Sequence, residues 1–77
     1  MREPDAIPSP GPHRGRVDSC DARRGLGVVS TDDGALYDFH ATAIADGSRA
    51  IAAGTKVMFM VSAGHRGRYE ARAVSPI

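Results

Sequence analysis

The sequence predicts a small all-β domain, a barrel or a sandwich, on three observations. Short runs rich in valine and other apolar residues recur at 16–20, 26–30, 36–40, 56–61 and 70–74. Glycine and aspartate clusters separate them, and no long helical period occurs between. The 77 residues leave room for one domain. A chain of that size buries only about 60% of its unfolded surface, so modest stability is expected.

Residues 1–13 hold four of the five prolines. Proline removes a backbone donor and pushes its predecessor toward extended conformations, so neither helix nor sheet propagates there. That stretch reads as a disordered leader, and residues 14–77 as the domain. Arg23-Arg24-Gly25 punctuates the first and second runs. Asp33-Gly34, between the second and third, is a hairpin signal. One helical turn fits residues 41–45, and a longer segment, 45–55, leads to the fourth run. There Val57, Phe59 and Val61 alternate with Lys56, Met58 and Met60. Period two sends the first set inward and the second outward. Tyr37, Phe39 and Phe59 read as core.

Composition excludes several classes. No apolar run approaches the ~20 residues a membrane helix requires. Residues 1–14 lack the basic start and apolar stretch of a secretory leader, so a cytoplasmic location is expected. Cys20 stands alone and forms no internal disulfide. Cys20, His13, His40 and His65 lack zinc-site spacing, so no metal or cofactor is expected. No nucleophile–base pairing is recognisable, which argues against an enzyme. The net charge of +1 argues neither for nor against nucleic acid.

The order of motifs resembles the bacterial cold-shock proteins. Gly15-Arg16-Val17, then Ala22-Arg23-Arg24-Gly25-Leu26-Gly27-Val28-Val29, is similar to their opening strand and first ribonucleoprotein motif. His40-Ala41-Thr42-Ala43-Ile44 is similar to the second motif. Ala53-Gly54-Thr55-Lys56-Val57-Met58-Phe59 resembles the fourth strand, and Gly64-His65-Arg66-Gly67 the closing segment. The likeness spans residues 15–77. It implies a five-stranded antiparallel OB-type barrel that binds single-stranded RNA or DNA, with exposed aromatics stacking on bases and basic side chains following phosphates.

Most of those aromatics are replaced. Ser19 and Cys20 stand where the family has Trp and Phe, Leu26 and Val28 where it has two Phe, and Asp38, Ala41 and Ser48 where it has three more. Stacking is worth ~1–3 kcal/mol per base. Losing three such contacts forfeits about 3–9 kcal/mol, or roughly two to six decades of affinity. What remains is charge and aliphatic surface. Weak, salt-sensitive binding is therefore expected through Arg16, Arg23, Arg24, Leu26, Val28, His40, Arg66 and Arg68, with Tyr69 as a substitute ring. The alternative is a protein-interaction or regulatory module that keeps the barrel without the nucleic-acid platform. Met58 and Met60, directed outward, would then serve a protein partner or self-association, since methionine suits adaptable binding surfaces.

Overall fold

A computed structural model describes residues 11–64 and 68–77. Of the leader expected over residues 1–13, residues 1–10 lie outside the described residues, and His13 already belongs to the first strand. Five strands form: β1 (His13–Asp21), β2 (Leu26–Thr31), β3 (Leu36–His40), β4 (Lys56–Ala63) and β5 (Tyr69–Pro76). They close into a barrel in the order β1-β2-β3-β5-β4. The expected five-stranded OB-type barrel is present. No helix among the described residues is long and apolar enough to cross a membrane.

Strand pairing is antiparallel at every junction except one. β3 and β5 run parallel and meet through a single register pair, Asp38 with Glu70. Two antiparallel strands can be joined by a tight turn, but β3 and β5 are separated by all of β4, so no turn dictates their relative direction.

Alternation builds the core. Val17, Val29, Phe39, Val57, Phe59, Ala71 and Val74 point inward from the strands, and Ile44 and Ile51 close over them from the long connection. Lys56 and Met60 are exposed and Met58 half-buried, as the period of β4 predicts. Tyr37 and Val61 pack against the core from partly buried positions. The anticipated helical turn is one 3₁₀ turn at Ala41–Ala43.

β1 begins at His13, whose ring stacks on Phe59 at 5.8 Å and meets Tyr37 edge-on at 6.3 Å. Proline cannot continue this ladder, and His13 is the first residue after Pro12. The anticipated hairpin between β2 and β3 is held by Thr31. Its backbone N–H donates to the Ala35 carbonyl at 2.9 Å, and its hydroxyl bonds the Asp33 carboxylate. Gly34 adopts φ 90° there, a conformation that costs glycine nothing.

Two irregularities tighten the barrel. The β1–β2 register shifts between Val17 and Ser19, leaving Asp18 as an extra residue. The β4–β5 register shifts between Met58 and Met60, where β5 carries one more residue than β4. Ala73 lies in that bulge with φ 52°, in the left-handed region that alanine rarely enters.

Candidate nucleic-acid interface

The turn after β1 is built around one side chain. The Asp21 carboxylate accepts hydrogen bonds from the backbone N–H groups of Arg23 at 3.0 Å and Arg24 at 3.2 Å. Aspartate offers the chain this local alternative to a ladder, which is why the strand ends here. The turn presents both arginines, and Gly25 N–H closes it on the Asp21 carbonyl at 2.8 Å.

Cross-strand register then assembles a surface. Leu26 pairs with Asp21 on one side and His40 on the other. Val28 pairs with Ser19 and Asp38 in the same way. These positions line a groove of about 440 Å³, together with Cys20, Arg24, Gly27, Phe39 and Glu70. Gly27 forms its floor. A Cβ there would lie 2.6 Å from Phe39 Cε2 and 2.8 Å from the Ser19 carbonyl oxygen, so only glycine lets the Phe39 ring sit under β2.

The charges in the groove are mixed. Arg24 and His40 share it with Asp21, Asp38 and Glu70. Asp21 and Asp38 are both engaged within the chain. Asp21 accepts from the turn, and Asp38 lies 3.6 Å from the guanidinium of Arg68. Both members of that ion pair are more than half exposed, so it is worth only about 0–1 kcal/mol.

No family model matches this chain, and no curated protein does.

The expected site residues fall into three groups. Arg24, Leu26, Val28 and His40 come together in the groove, with Arg23 exposed in the adjoining turn and Arg68 held against Asp38 at the edge. Arg16 does not join them. It pairs with Ser30 and with Lys56 of β4, on the far side of the Asp18 bulge. Tyr69 opens β5 opposite Ala63, partly buried and away from the groove lining. Arg66 lies outside the described residues. Met58 and Met60 face outward from β4, which contributes nothing to the groove.

Glu70 is the lining residue that sequence reasoning missed. Its outward direction is readable from its neighbour Ala71, which is buried. Its placement beside Asp38 depends on the parallel β3–β5 closure, which no local pattern announces. Among the described residues, no cluster of three or more histidine, cysteine, aspartate or glutamate side chains suits a metal ion.

Proposed function

We propose that the chain is a divergent cold-shock-like domain that binds single-stranded RNA or DNA weakly. The observation that carries this reading is the register pair Leu26–His40 beside Val28, with Arg24 at the same groove. A base lies on the flat aliphatic surface of Leu26 and Val28 and meets the imidazole edge-on or face-on. Its flanking phosphates reach Arg23 and Arg24, whose planar forks suit phosphate oxygens. Asp21 is spent on the turn and Asp38 is offset by Arg68, so the two carboxylates nearest the base repel an anionic strand less than their number suggests. Binding that rests on charge falls steeply with salt, because it releases counterions from the strand.

One observation favours the alternative, a barrel that engages a protein instead. Asp38 and Glu70 face each other across β3 and β5, at the place where a strand would cross the groove. An amide NMR titration with short pyrimidine-rich DNA and RNA at low salt separates the two. Shifts over residues 23–29 and 38–41, lost as salt is added, support nucleic-acid binding. No shifts at millimolar oligonucleotide would reject it.

A further inference from the structure

The face of the barrel away from the groove has the opposite character. Arg14 and Arg16 project from β1, Lys56 from β4 and Arg72 from β5, all exposed. Between them stand Met58, paired with Arg14 and Ser75, and Met60, paired with Arg72. No carboxylate side chain occupies β4 or any position paired with Lys56, Met58 or Met60. Among the described residues no ion pair engages Arg14, Arg16 or Lys56.

One pairing on this face works against the fold. Arg16 and Lys56 are direct cross-strand partners, and like charges in that relationship destabilise a sheet. A ligand carrying carboxylates at this spot would relieve the repulsion, so the face is complementary in charge to an acidic partner.

We propose that this β1–β4–β5 face docks an acidic, amphipathic protein segment. Its carboxylates meet Arg14, Arg16, Lys56 and Arg72, and its apolar side chains seat on Met58 and Met60. Methionine is unbranched and polarisable, and it conforms to varied apolar side chains. Single-stranded nucleic acid is the less fitting occupant, because no aromatic ring stands at these positions to stack a base. β4 is paired on both sides, with β1 and with β5, so the partner lies on the face and does not extend the sheet there.

The test titrates the full chain, followed by amide NMR, with three probes: a glutamate–leucine amphipathic peptide, its lysine–leucine counterpart and oligothymidylate. The acidic peptide is expected to shift residues 14–16, 56–60 and 72, with the lysine peptide at least tenfold weaker. Lys56→Glu should weaken the acidic peptide at least tenfold while raising the melting temperature, since it turns a repulsive cross-strand pair into an attractive one. Replacing Met58 and Met60 with serine should weaken the peptide severalfold with every charge intact. Equal response to both peptides overturns the proposal. So does a response of this face to oligothymidylate alone. Dimerisation by light scattering without a peptide response overturns it as well.

Discussion

The guanidinium of Arg68 lies 3.6 Å from the carboxylate of Asp38, at the edge of the groove formed by β1, β2 and β3. The Arg68 guanidinium is thereby turned toward an acid of the protein itself. Replacing Asp38 with phenylalanine removes the acid, supplies a ring and releases Arg68. Oligonucleotide affinity should rise tenfold or more, as expected from ~1–3 kcal/mol for one stacked base. Fluorescence anisotropy of a labelled pyrimidine-rich strand measures it. An unchanged affinity would count against the groove as the binding surface.

Gly27→Ala should destabilise the barrel by about 1–3 kcal/mol, the usual cost of overpacking. The added Cβ meets both the Phe39 ring and the Ser19 carbonyl, and backbone cannot yield as a side-chain tip can. Urea unfolding reads the loss as a lower midpoint with an unchanged slope. A midpoint equal to that of the parent would show that β2 has room to move off Phe39.

Ala73→Gly should stabilise the fold. Alanine at φ 52° bears a left-handed cost of roughly 1–2 kcal/mol, which glycine avoids. Glycine also gives the unfolded chain more freedom, worth about 0.4–1 kcal/mol in the other direction. The net gain of about 0.5–1 kcal/mol corresponds to a few degrees in melting temperature for a domain this small. A decrease would mean that the bulge relaxes around glycine.

The β2–β3 turn should weaken in acid. The hydrogen bond from the Thr31 hydroxyl, with a further one from the Ala35 backbone, holds the Asp33 carboxyl below its ordinary value. A carboxyl depressed in the folded state stabilises above its unfolded pKa, and that contribution fades as pH falls through the folded value. Stability should therefore decline below about pH 4, the range in which an unperturbed aspartate begins to protonate. Thr31→Ala should flatten this decline. Denaturant midpoints between pH 2 and 6 for both proteins test it, and parallel curves would exclude the Thr31–Asp33 bond as the cause.

Much of the fold was legible because it is written in local patterns. Val57 and Phe59 against Met58 and Met60 is a period of two, and the same rule places Val17 and Val29. Asp33-Gly34 marks its hairpin by turn chemistry alone. The bulges were not legible, since neither Asp18 nor Ala73 is the glycine that usually advertises one. That has a consequence for the site. The extra residue at Asp18 separates Arg16, which pairs with Lys56 of β4, from Ser19, which lines the groove. Arg24, Leu26, Val28 and His40 converge because two hairpins set their register, and hairpins are short-range objects. Glu70 joins them from a distant part of the chain, through a seam that only the closed barrel creates.

That seam also sets where the molecule breathes. Four junctions of the barrel are laddered over several residues, while β3 and β5 share one register pair, itself made of two carboxylate residues. Opening fluctuations concentrate where the fewest ladder bonds must break, so amides along this join should exchange with solvent ahead of those between β1 and β2. A ligand touching both Asp38 and Glu70 would act as a clasp across the gap, slowing that exchange and tightening the whole ring at once.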